Sequence, residues 1–148
     1  MRQYFLVGLV GVSFMLAIAP VRAHHAFSSE FDADKPVKFE GSVTKTEWVN
    51  PHAWIHLDVK TQDGKTEEWM IEGGTPNTLM RRGVSRDTLK IGTPVVVTGY
   101  QAKDGSNRAN GRDITYPDGR KLFLGSTGTG APYDEKTEQK PKEKEKGK

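Results

Sequence analysis

Trp48-Val49-Asn50-Pro51-His52-Ala53-Trp54-Ile55-His56-Leu57-Asp58-Val59 holds two of the three tryptophans and two of the four histidines of this 148-residue chain. Pro51 has no amide N–H and turns Asn50 away from helical backbone, so the pair marks the beginning of a strand rather than its middle. From Ala53 onward apolar and polar residues alternate. Ala53, Ile55, Leu57 and Val59 belong to a face turned to a core, and His52, Trp54, His56 and Asp58 to the opposite face. An imidazole and an indole side by side on the outer face of a half-buried strand point to a site.

Downstream, Gln62-Asp63-Gly64-Lys65 is a hairpin turn, because Asp-Gly accepts the positive φ angles that such turns require. The returning strand is Glu67 to Glu72, with Trp69 and Ile71 on one face and Gly73-Gly74 ending it. Thr75-Pro76 begins a short helix, the Thr hydroxyl capping free amides and Pro taking the first helical position, and Gly83 suits its exit. Two further strands follow, Val95 to Tyr100 and Arg112 to Tyr116, before a Pro117-Asp118-Gly119 turn and Lys121 to Leu124. Upstream, Asp34-Lys35-Pro36 reads as a turn-like break before a first strand in which Val37, Phe39, Gly41 and Val43 alternate with polar residues. Gly41 marks a bend of the kind a small barrel needs. Three strands, one short helix and two further strands is the order of an OB-fold, so the expectation is an all-β, five-stranded barrel with the helix plugging one end.

The ends of the chain read differently. Met1-Arg2-Gln3-Tyr4, the apolar run Phe5 to Ala19 and the small residues up to Ala23 form a secretory signal with cleavage after Ala23, and the run is shorter than the ~20 residues of a spanning helix. The expected organisation is therefore a signal peptide at 1–23, an N-terminal segment at 24–36, the barrel at 37–124, and a Gly-rich linker with a charged, disordered tail at 125–148. Phe27 and Phe31 are placed to pin the N-terminal segment. An exported, periplasmic or secreted protein with no membrane span after cleavage follows.

Cleavage removes Arg2 and Arg22 and takes the formal charge from +3 (22 minus 19) to +1 (20 minus 19). Between His24 and Pro132 there are 14 acids and 14 Lys or Arg, so no basic field exists to attract nucleic acid. The absence of cysteine excludes disulfides, thiolate zinc sites and thioether haem attachment, leaving stability to the core of one small domain.

The chain resembles the exported bacterial DUF6152 family, of unknown function. The resemblance rests on His24-His25-Ala26-Phe27, Trp48-Val49-Asn50-Pro51-His52, Trp69 to Gly74, Pro76-Asn77-Thr78-Leu79 with Arg82-Gly83, and Leu89 with Gly92 before the valine strand. It covers nearly all of 24–124 and implies export and a small β-barrel, with no activity. Val84 departs from the family, which favours Trp there, and this bears on local packing.

Four histidines are the soft-ligand supply of the chain. After cleavage His24 offers an α-amine and an imidazole to one ion, and His25 or His52 a further nitrogen. A nitrogen-rich set with open positions suits Cu(II). At ~3.3 Å per residue His52 and His56 are ~13 Å apart along one strand, too far to share an ion, so His52 at the strand mouth is the partner chosen. Because an α-amine near ~7.7 must lose its proton to bind, affinity rises with pH through that region. The competing expectation is a metal-independent module that binds a small ligand or an envelope protein through Trp48, Asn50 and Trp54. Glu67, Glu68 and Glu72 read as ordinary exposed strand glutamates, and His56 as solvated. No nucleophile has a placed base, so no enzyme is expected.

Overall fold

The structure is a computed structural model and describes residues 26–127 and 129–133. In chain order it contains α1 (Ala26–Glu30), β1 (Phe31–Trp48), β2 (Ala53–Lys60), β3 (Thr66–Glu72), α2 (Pro76–Arg81), β4 (Pro94–Ala102), β5 (Arg108–Thr115) and β6 (Lys121–Phe123). β1 is long enough to pair antiparallel with β2 along one part and with β4 along another. β3 follows β2 through the Asp63-Gly64 hairpin, and Gly64 has the positive φ of +81° that the turn requires.

A parallel pairing of Met70, Ile71 and Glu72 with Arg108, Ala109 and Asn110 joins β3 to β5. The ring β1-β2-β3-β5-β4 is thereby closed into a barrel-like, OB-type arrangement, with β6 added beside β5. Closure needs β1 to bend, and Gly41 stands at the point where the strand pairs with Val59 of β2 and Val95 of β4 together. A Cβ there would lie 2.6 Å from the Asp58 carbonyl oxygen, so the approach of the strands excludes a side chain.

Each strand of the ring sends a branched apolar residue inward: Val43, Leu57, Ile71, Val97 and Ile114 are all essentially inaccessible. Phe39 packs on Trp69 at 4.2 Å between ring centroids. The short helix α2 begins as the sequence indicates. Thr75 Oγ1 accepts from the Thr78 amide, Pro76 stands in the first turn, and Gly83 leaves the helix at φ +88°. Its Leu79, with Val84 and Leu89 beyond it, enters the main core. Val84 is wholly buried, so valine fills its place without a Trp.

Three expectations are corrected. Asp34-Lys35-Pro36 does not break the chain: β1 already starts at Phe31, and the residues between Phe31 and Pro36 are absorbed as a register shift against β4. Such an irregularity tolerates Pro because no ladder hydrogen bond is required there. A second short helix, α1, precedes β1. The Gly-rich segment is not a bare linker either, because Leu124, Gly125, Ala131 and Tyr133 are buried. Ala131 and Tyr133 join Phe27, Phe31 and Ala102 in a second apolar cluster, flanked by Tyr100 and Phe123. Phe27 meets Tyr100 edge-on at 5.4 Å, so the N-terminal segment is pinned through Phe27 and Phe31 as its sequence indicates. The stretch expected to be a signal peptide, His24, His25 and the charged residues from 134 lie outside the described residues. No helix among the described residues is long and apolar enough to cross a membrane.

Candidate functional site

The mouth of β2 forms one wall of an open groove of about 390 Å³ lined by Glu30, Glu47, Val49, Asn50, Pro51, His52, Trp54 and Glu72. Four elements build it. β1 supplies Glu47, the β1–β2 connection supplies Asn50 to His52, β3 ends in Glu72, and the last residue of α1 supplies Glu30. α1 is held in place from outside the groove: the Lys103 amide donates to the Glu30 carbonyl, and Arg108 Nη1 lies 3.8 Å from the Glu30 carboxylate.

His52 is fixed by its Nδ1. That nitrogen is 3.2 Å from the Gly73 carbonyl oxygen and 3.3 Å from Glu72 Oε1. A carbonyl only accepts, so Nδ1 carries the proton in this arrangement, and in the neutral ring Nε2 then holds the lone pair. Nε2 has no hydrogen-bond partner among the described residues. The Gly73 carbonyl is placed by the end of β3, where Gly73 N donates to Ala53 O and the Ala53 amide donates to Gly74 O, carrying the β2–β3 pairing one step past the strands.

Glu72 is the residue whose importance was not expected. It is 5% exposed, against the reading of the β3 glutamates as solvated. Burial pushes its carboxyl above the ordinary 4.5, and Glu30 pushes in the same direction; His52, Arg108 and a hydrogen bond from Asn110 oppose them without prevailing. A carboxyl perturbed by burial and set beside an imidazole in a cleft is a functional-site signature. The hairpin could have indicated it. Once Asp63-Gly64 is the turn, the register follows and brings Glu72 opposite Trp54.

The tryptophans do not form one surface. Trp48 pairs with the inward-facing Ala53, packs against the main core, and donates its indole N–H to Thr46 Oγ1. Trp54 pairs with Glu47 and lines the groove with Asn50. Directly opposed residues point to the same side of a sheet, so the two indoles face opposite ways. The groove keeps Asn50 and Trp54 and excludes Trp48.

His56 is likewise not solvated. It is 6% exposed, with Nδ1 2.9 Å from Glu68 Oε1 and Nε2 2.9 Å from Glu47 Oε1. Both nitrogens are engaged, so this ring clamps three strands and is not available as a ligand. Glu47 is held below the ordinary carboxylate value by its bond from Lys45 first and from His56 second. Among the described residues no group of three or more His, Asp or Glu side chains is arranged to hold a metal ion.

No curated protein and no solved structure matches the chain. A family model described as "Family of unknown function (DUF6152)" matches residues 13–111, which span the first helix, the whole Asn50-Pro51-His52 mouth, β3 with Glu72, and β5 as far as Asn110 and Gly111. With about two thirds of its length matched, the chain belongs to the DUF6152 family.

Proposed function

We propose that the mature protein is an exported, periplasmic or secreted binding or accessory protein that takes up a divalent metal, copper in preference, through His52 together with the nitrogens of His24 and His25. The observation that carries the reading is the division of labour on the His52 ring. Nδ1 is tied to a backbone carbonyl and a carboxylate while Nε2 is left without a described partner, which is how metal-binding imidazoles are commonly oriented. One imidazole is not a site, so further ligands must come from the adjoining chain. His24 and His25 immediately precede α1, whose other end places Glu30 on the same groove. At ~1.5 Å per residue, α1 spans only ~7.5 Å, so the preceding histidines are tethered within a short reach of it. Glu30, Glu47 and Glu72 give the groove a negative character that favours a cation.

The test is copper titration of protein exported and processed by its host, so that the terminus is authentic, beside a variant with one residue added before His24 and a His52→Ala variant. Tight binding that strengthens from pH 6.5 to 8 and weakens in both variants is expected. Binding unchanged by the added residue would remove the terminal chelate, and binding unchanged by His52→Ala would remove the groove. A second reading is supported by the groove's volume, which lies in the range of small-ligand sites: Asn50 and Trp54 would receive a small molecule or a side chain of an envelope partner. Trp54 fluorescence that responds to a ligand in metal-free protein favours that reading.

A further inference from the structure

The equal totals of acid and base in the body of the protein hide a separation. Residues 26–72 carry ten acids against five lysines, and residues 73–132 carry nine Lys or Arg against four acids. The first stretch builds β1, β2 and β3 and the second builds α2, β4, β5 and β6. In the sheet order β3-β2-β1-β4-β5-β6 the acidic strands lie together on one side and the basic ones on the other. A body divided in this way is oriented by a charged surface although its net charge is near zero. Most cations of the basic side are engaged locally: Arg108, Arg112, Arg120 and Lys121 pair with Asp104, Asp113 or Asp118, and Lys103 donates to the Ser28 carbonyl. Arg81, Arg82, Arg86 and Lys90 are different, having no ion pair among the described residues. All four fall between Met80 and Ile91.

That stretch is a braced cap on the barrel. Leu79, Val84 and Leu89 anchor it in the core. The Gly83 amide donates to the Met80 carbonyl, Thr88 Oγ1 to the Gly83 carbonyl and the Leu89 amide to the Ser85 carbonyl, so each turn is tied to the one before it. Beyond Ile91, the Gly92 amide donates to the Val43 carbonyl at 2.7 Å and fixes the end of the cap to β1. Arg82 lies over the Phe123 ring at 4.7 Å and donates through Nη1 to the Gly125 carbonyl. With the anchors turned inward, Arg81, Arg86 and Lys90 are left exposed, as are Met80 at 52% and Ile91 at 79%. Two of the three large apolar side chains exposed among the described residues therefore bracket the cations that have no acid.

We infer that the Met80-to-Ile91 cap docks on an anionic phospholipid surface. Arg81, Arg86 and Lys90 meet the phosphate headgroups, and Met80 and Ile91 enter the boundary between headgroups and acyl chains. Cations interspersed with protruding apolar side chains suit such a boundary. A protein interface is built instead around a contiguous desolvated patch, which two single side chains set among charges do not form. Because the cap is already braced by its own hydrogen bonds and core anchors, docking costs little ordering. The acidic strands are repelled by the same surface, so the cap is the end presented to it. Nothing in this docking depends on His52 or on a bound metal.

Sedimentation of the metal-free mature protein with vesicles tests it, using phosphatidylglycerol mixed with phosphatidylcholine beside phosphatidylcholine alone. Binding to the anionic vesicles only, released by high salt, is expected. Arg81→Gln, Arg86→Gln and Lys90→Gln combined should weaken it roughly a hundredfold, on the order of fivefold for each charge. Ile91→Asn alone should weaken it roughly tenfold. Lys35→Gln, Lys38→Gln and Lys65→Gln combined remove the same charge from exposed lysines of the acidic side and should leave binding unchanged. All these positions are exposed, so the variants should melt with the parent. No binding to the anionic vesicles, equal losses in the two triple variants, or an Ile91→Asn variant that binds like the parent would each overturn the inference. Retention on polyglutamate that the cap variant loses, without vesicle binding, would assign the cap to an acidic protein surface and overturn the lipid assignment as well.

Discussion

Trp54 on β2 stands directly opposite Glu72 on β3, and this register brings the last carboxylate of β3 to within 3.3 Å of the His52 ring. A glutamate there is unfavourable for the fold, since burial works against its charge. It follows that Glu72 lowers stability where it is ionised. Because its folded pKa is raised above the ordinary 4.5, the native state keeps the proton longer than the unfolded chain does. The contribution of Glu72 is complete below 4.5 and is lost as pH rises through the raised folded value. Glu72→Gln should therefore melt higher than the parent at pH 7 and converge with it near pH 4, as thermal denaturation across that range would show. Equal separation of the two melting curves at both pH values would contradict the argument.

His56 supplies the opposite case. Its two ring nitrogens reach Glu47 on β1 and Glu68 on β3, and both can donate only when the ring is protonated. His56→Ala should cost ~1–3 kcal/mol in urea unfolding, chiefly through the lost clamp and packing. Glu47, held below its ordinary 4.5 by Lys45 and then His56, contributes stability that is present above 4.5 and is lost as pH falls through its lowered folded value. Glu47→Gln should thus reduce the loss of stability on acidification, measured as urea midpoints between pH 5 and 3.

The alternation along β2 makes a paired prediction. Leu57 is fully buried and Asp58, its neighbour, is exposed. Leu57→Ala should destabilise by ~2–5 kcal/mol, and Asp58→Ala by no more than ~0.5 kcal/mol. Comparable losses at the two positions in chemical denaturation would mean that the strand faces are misassigned.

Gly41 tests the bend that lets β1 serve two neighbours. Gly41→Ala puts a methyl 2.6 Å from the Asp58 carbonyl, a backbone atom that cannot step aside. A loss of ~1–3 kcal/mol is expected, as for other overpacked sites. Gly64→Ala meets no neighbouring atom and suffers only its positive φ of +81°, for a smaller cost of about 1 kcal/mol. Hydrogen exchange should localise the Gly41→Ala effect to the amides shared by β1 and β2.

Much of the barrel could be read from local rules. The alternation after Ala53, the Asp63-Gly64 hairpin, the Thr75 cap with Pro76, and the Gly83 exit each express a property of one or two residues and their backbone, and each is present where the sequence places it. Local rules failed where partners come from afar. Pro36 marks a break in isolation, yet β4 supplies a partner that carries β1 across it. Glycines between 125 and 130 signal a linker in isolation, yet Tyr133 returns to the aromatic cluster behind α1. The metal-ligand proposal at His24 and His25 remains one of chain position, since both precede the described residues.

The sequence by itself determined which residues could face the core, where the chain turns, and that Asn50-Pro51-His52 stands at the mouth of a strand. These depend on backbone preference and on a period of two, both of which act over a few residues. Only the tertiary structure decided that Trp48 faces inward while Trp54 faces the groove, that His56 is clamped, and that Glu72 is buried beside His52. Those outcomes depend on which strands meet and in what register, and a contact between residues tens of positions apart exists only once the ring has closed.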